Sequence, residues 1–171
     1  MEGLSGTGQM TKPIINISEL EFGPFPAPMP ESVKAKFEGA MIGRVGQKIG
    51  AQKLGYNITV VPSGMRAFPL HTHHVNEEMF FILEGEGEVR IGDKTYPIKK
   101  GDFIAHPPGG PETAHQIVNT SEKELRYLAV STMQSPEIAN YPDSKKFGVM
   151  SADGFRFLGR VDQSLDYWDG E

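Results

Sequence analysis

The sequence contains no cysteine, so disulfides, thiol nucleophiles and thiolate metal sites are excluded together, and the absence fits a reducing compartment. It also lacks any apolar run near the ~18 residues that a membrane-spanning helix needs. The opening stretch MEGLSGTGQMTKP has neither the basic nor the apolar region of a secretory signal. These absences together predict a cytoplasmic protein with no membrane partner. Positive charge is sparse as well: the net charge is −5 and Lys and Arg are scattered, which argues against a nucleic-acid partner. Long helical periodicity is missing too. With 20 glycines and 13 prolines among 171 residues, the chain has the profile of one globular unit made of short strands and many turns.

Period-two alternation recurs at Gly55–Pro62, Arg66–His73, Glu77–Leu83, Gly87–Ile91, Lys94–Ile98, Asp102–His106, His115–Asn119 and Leu125–Thr132. Gly92-Asp93 lies between two such segments and is a two-residue hairpin turn by type. Eight strands with no helix among them predict an all-β antiparallel barrel or jelly roll. Before it, residues 1–12 are small and polar and are expected to be disordered. Residues 13–54 read as an N-terminal arm. Within it Glu21–Pro30 holds four prolines and should lie extended, and Glu31–Lys36 is a candidate helical turn. The barrel proper is expected over 55–134. Residues 135–171 are expected to form an irregular C-terminal extension, in which Phe147–Leu158 has the apolar content for one added strand.

The chemistry-bearing residues are concentrated in the predicted barrel. His71-Thr72-His73 puts two imidazoles on one face of an extended strand, because side chains alternate with period two. Glu78 follows after four intervening residues, and His115 stands at the head of a later strand. Three neutral imidazoles and one carboxylate suit one divalent ion with one or two open positions: Fe, Mn, Ni or Co, and Zn with a bound water. His74 points away from the face of its neighbours. His106 has two possible orientations, toward the cavity or toward solvent.

The order of these residues resembles the cupin superfamily. Its first motif is matched by Gly64, six residues, His71-Thr72-His73, four residues, Glu78, six residues and Gly85. Its second is matched by Gly101, five residues, Pro107-Pro108-Gly109, five residues, His115, three residues and Asn119. The chain departs from the family pattern by one extra residue before His71 and three in the Gly109–Thr113 turn, where a Gly/Pro-rich loop absorbs insertions. The motif counts select Glu78 rather than Glu77 as the carboxylate ligand. The resemblance covers roughly residues 55–132. It implies a double-stranded β-helix with a divalent ion on His71, His73, Glu78 and His115, and it implies a catalytic role for Glu78.

Within that superfamily the chain is similar to single-domain (cupin 2 type) proteins labelled sugar-phosphate isomerases. The implied function is metal-dependent isomerisation of a small oxygen-rich substrate. The alternatives are an iron-dependent dioxygenase and a metal-anchored module that only binds a small ligand. A phosphate site would require convergent cations at the barrel mouth, and on predicted strands only Arg66, Arg90 and Arg126 are available. Finally, with Glu78, Phe80 and Ile82 facing inward, Met79, Phe81 and Leu83 form an apolar outer face, from which a homodimer is expected.

Overall fold

The computed structural model describes residues 12–25 and 28–171; the expectation for the first dozen residues falls, Lys12 excepted, outside this range. In chain order the elements are β1 (Gly23–Pro24), α1 (Glu31–Phe37), β2 (Met41–Arg44), α2 (Val45–Lys48), β3 (Leu54–Val61), β4 (Thr72–His73), β5 (Glu78–Glu84) and β6 (Glu86–Ile91). They continue with β7 (Lys94–Lys99), β8 (Phe103–His106), β9 (His115–Val118), β10 (Leu125–Thr132), β11 (Glu137–Tyr141), β12 (Lys146–Met150) and β13 (Arg156–Arg160). All strand pairs are antiparallel.

One layer is a six-stranded sheet in the order β1-β2-β3-β10-β5-β8. Facing it are β7-β6-β9 and β13-β12-β11-β4. These last two sheets are joined through the segment before β4, where His71 bridges His115 and Arg66 bridges Val118. The core lies between the layers: Val61, Phe80, Ile82, Ile104, Leu125 and Tyr127 come from the large sheet, and Val89, Ile98 and Ile117 from the opposite one. Burying each large apolar side chain contributes roughly 1.5–3 kcal/mol. The arrangement is a double-stranded β-helix. No helix among the described residues is long and apolar enough to cross a membrane.

Most strands form where alternation places them. The hairpin at Gly92-Asp93 closes β6 on β7 with Ile91 opposite Lys94, and Gly92 sits at φ 57°, where its Cα also approaches the Glu112 carbonyl too closely for a side chain. Glu31–Phe37 is helical, and Gly23–Pro24 is extended against β2.

Two regions differ from expectation. The predicted strand Arg66–His73 is broken, because Pro69 offers no N–H to a ladder; only its ends pair. The tail is irregular only beyond Arg160; the part before it forms strands. β11, β12 and β13 form an antiparallel sheet, and β11 pairs with β4, Ala139 opposite His73 and Asn140 opposite Thr72. The turn-forming Pro136 and Pro142 and the polar Glu137 and Asn140 mask this pairing in sequence. The pairing is long-range, and no local pattern reports it.

Candidate metal centre

Each of the four expected ligands comes from a different place on the frame. His71 is in the bridge beside β9, His73 in β4, Glu78 at the start of β5 and His115 at the start of β9. The structure brings them together: one donor atom from each lies within 4.8 Å of the others. The backbones of His71 and His115 exchange both N–H···O bonds, at 3.2 and 2.8 Å, which fixes the two rings 4.5 Å apart. Glu78 projects inward with Phe80 and Ile82, as alternation requires, and its Oε2 lies 3.0 Å from His115 Nε2 and 3.4 Å from His73 Nε2.

The outer nitrogens of the imidazoles face acceptors. His71 Nδ1 is 2.8 Å from the Pro69 carbonyl and His115 Nδ1 is 3.3 Å from the Thr113 carbonyl. A carbonyl only accepts, so these Nδ1 atoms carry protons; the His71 Nε2 lone pair is then free, while His115 Nε2 faces the Glu78 carboxylate, a contact that a cation would take over. His73 Nδ1 lies 3.5 Å from the buried Glu137 carboxylate. Both ring nitrogens of His73 are buried without a properly aligned hydrogen bond, an arrangement that a cation at the Nε2 side would satisfy. Three imidazoles and an anionic oxygen that converge in this way fit a divalent ion.

The electrostatics agree with this donor chemistry. Burial, aided by the neighbouring His115, lowers His71 to about 4, so it is neutral near pH 7. Burial by itself would raise Glu78, but the hydrogen bond from His115 and the closeness of His73 hold it well below the usual carboxylate range. For His73 burial acts downward and is outweighed by Glu78 and Glu137, so its pKa is raised. The cluster is thus organised around two carboxylates, Glu78 within it and Glu137 behind His73.

Several residues are placed where sequence reasoning left them open or did not look. His74 is exposed, with Nε2 toward the Asn140 amide, away from the cluster. His106 faces inward: it is buried, opposite Glu78 in register, and stacked on His115 at 4.0 Å, with Nε2 unpartnered. Burial, with His115 beside it, lowers it to about 3. Asn119 is structural, donating to the Val61 and Lys123 carbonyls at 2.8 and 2.7 Å. Glu77 is exposed.

The residue that sequence reasoning missed is Glu137. Its carboxylate accepts from the backbone N–H groups of His74, Val75, Asn76 and Ile138 and from the Asn76 side-chain amide, and so is held rigidly behind His73. Asn76 is fixed in turn: its Oδ1 accepts from Thr132 Oγ1 and from the Gln134 N–H. No motif signals Glu137, since it lies in the segment read as irregular.

A cavity of about 220 Å³ opens beside Glu78, between the ends of β3 and β10 and the α2 region. Arg44, Gln47, Asn57 and Ser131 are among its other lining residues. Arg66, Arg90 and Arg126 do not line it; Arg90 pairs with Asp143 and Arg126 with Glu124.

Residues 57–131 match the family model described as the cupin domain. An uncharacterized protein of Methanocaldococcus jannaschii is 38% identical over 72 residues, 42% of this chain and 54% of that protein. An oxalate-binding protein of Thermotoga maritima is 39% identical over 61 residues, 36% of this chain and 48% of that protein. The chain therefore spans about half the length of these curated relatives. Among solved structures, a sugar phosphate isomerase from a cupin superfamily, from Silicibacter pomeroyi, superposes with a TM-score of 0.79 at 25% identity, covering 92% of this chain and 98% of that one.

Proposed function

The chain is a cupin-type protein, and from that premise we propose that it is a metal-dependent enzyme acting on a small oxygen-rich molecule, with isomerisation of a sugar phosphate or related carbohydrate as its reaction. The observation that carries the reading is the convergence of His71, His73, Glu78 and His115 within 4.8 Å. The likeness to the Silicibacter pomeroyi sugar phosphate isomerase over nearly the whole chain supports the choice of reaction.

When bound, a divalent ion supplies Lewis acidity toward a substrate oxygen. The protein's own residues do the rest. His71 and His115 are oriented through their Nδ1 atoms, and His73 by Glu137. Glu78, whose carboxylate is ionised, sets the charge at the inner end of the cavity, and it would accept a proton from a substrate carbon or hydroxyl on leaving the partners that hold it ionised. His106, neutral and with a free Nε2, offers a hydrogen bond beside it.

Two measurements test this. Protein purified without added metal should contain about one divalent ion per chain, and His71→Ala or His115→Ala should remove it while far-UV circular dichroism keeps its β-rich form. Retention of metal by both variants would refute the ligand set. Glu78→Gln should still bind substrate but turn it over roughly a hundredfold more slowly. The assay panel is aldose phosphates, keto acids and catechols. Binding across that panel with no conversion by the metal-loaded wild type would leave a binding module as the better account, and cleavage of catechols would favour the iron-dependent dioxygenase.

We further propose a homodimer. Met79, Phe81 and Leu83 lie on the outer face of the large sheet, only partly covered, and Phe103, stacked on Phe81 at 4.4 Å, is 74% exposed. Light scattering should give twice 18.8 kDa.

A further inference from the structure

Arg44 stands at the end of β2, directly opposite Asn57 of β3. Cross-strand partners point to the same side of a sheet. Asn57 is on the inner side, since its Oδ1 accepts from Thr59 Oγ1 two residues on, and Val61, two further, is part of the core. Arg44 therefore projects from the barrel's inner face at its open end, where it lines the cavity that also exposes Glu78.

Arg44 is the one cationic side chain among that cavity's described lining residues, and it makes no ion pair or side-chain hydrogen bond among the described residues. Its companions Gln47, Asn57 and Ser131 are neutral hydrogen-bonding groups. Among the described lining residues the one anion is Glu78, which already faces His73 and His115. The volume, about 220 Å³, is below the ~300–1,000 Å³ of drug-sized sites, so the occupant is small. A guanidinium with five donors and no internal partner is suited to a planar or tetrahedral oxyanion held through two parallel bonds.

We propose that Arg44 is a substrate-binding residue that selects anionic substrates, gripping a carboxylate or phosphate group at the mouth while the polyol part reaches Glu78. This deepens the proposed function and rests on it, because it assumes that the reacting end lies at the histidine cluster. It also supplies the cation that Arg66, Arg90 and Arg126, directed elsewhere, do not.

The test uses three probes with one carbon skeleton and different charge: ribose, ribose 5-phosphate and ribonate. Their binding to the full-length protein, metal-loaded and chelator-treated, is measured by isothermal titration, and metal content is measured in parallel. Wild type should hold at least one charged probe about ten- to a hundredfold more tightly than ribose, as expected for charge-assisted hydrogen bonds. The tighter of the two names the anionic group. Arg44→Gln should erase the preference without changing metal content, and Arg44→Lys, which keeps the charge but not the fork, should retain part of it. Equal binding of charged and neutral probes by the wild type, including no binding of any, or undiminished anion preference in Arg44→Gln, would overturn the assignment. A wild type without metal would sink the metalloenzyme reading instead, whatever Arg44 does.

Discussion

The two ends of the barrel interior are built by the same strands and have opposite character. In β5 the inward series runs Glu78, Phe80, Ile82; in β10, read in the opposite direction, it runs Ser131, Ala129, Tyr127, Leu125. β8 contributes His106 opposite Glu78 and Ile104 opposite Phe80. One end is therefore a polar layer of imidazoles, carboxylate and hydroxyl, and the next layers are closely packed hydrocarbon. The difference teaches how the site is mounted. Glu78, His106 and His115 each sit one alternation step from a buried apolar residue on their own strand, Phe80, Ile104 and Ile117, so the core fixes the backbone from which they project. Substitutions at the two ends should accordingly separate folding from metal binding.

The largest effect is expected at the apolar end. Ile82→Ala removes a side chain with no solvent exposure and should cost about 2–5 kcal/mol in urea unfolding. The fraction that remains folded should keep the metal stoichiometry of the wild type. Loss of metal by a folded Ile82→Ala protein would mean that the two ends are not separable.

Next is the support behind the polar end. Glu137→Gln keeps the shape but replaces the buried carboxylate facing His73 Nδ1, and metal affinity measured against a chelating dye should fall about ten- to a hundredfold. Unchanged affinity would mean that β4 alone orients His73.

The smallest effect is in acid stability of the metal-free protein. His71 is lowered to about 4 and His106 to about 3, against 6.5 in a free chain. Between those values the unfolded chain binds more protons, so stability should fall as pH is lowered from about 6.5 toward 4. His73, raised in the fold, acts oppositely: its contribution is present in full below 6.5 and is lost as pH rises through its folded value. Below 6.5 His73 therefore adds no slope, the two lowered groups set the sign, and the Tm should decrease on acidification across this window. His106→Phe, which keeps a ring against His115 and Phe80, should make the decrease shallower by up to about 1.4 kcal/mol per pH unit. A Tm that is flat or rises toward pH 4 would contradict the buried, neutral state of these rings.

Much of the polar end was legible before folding because its candidate ligands lie in short extended segments. His71 and His73 share a face through period two, and the counts to Glu78 and His115 follow a pattern similar to the cupin motifs. The alternation that turns Phe80 and Ile82 inward also turns Met79 and Phe81 outward, and this too can be read locally. His106 was ambiguous for a definite reason: four residues of β8 flanked by a proline turn do not reveal which face is inner until register with Glu78 is known.

By itself, then, the sequence determined the strand-rich architecture, the hairpin at Gly92 and the choice of His71, His73, Glu78 and His115 as candidates that the fold brings into one cluster, because these follow from local spacing and motif counts. Only the tertiary structure decided that Glu137 stands behind His73, that Arg44 opens onto the cavity beside Glu78, and that the tail pairs through β11 with β4. Those placements come from pairing between distant segments: Ala139 lies opposite His73, and Arg44 is set by the row Arg44, Asn57, Ala129, Phe80 across four strands. Register between distant strands is set by the burial of whole faces, and no local window of residues contains that information.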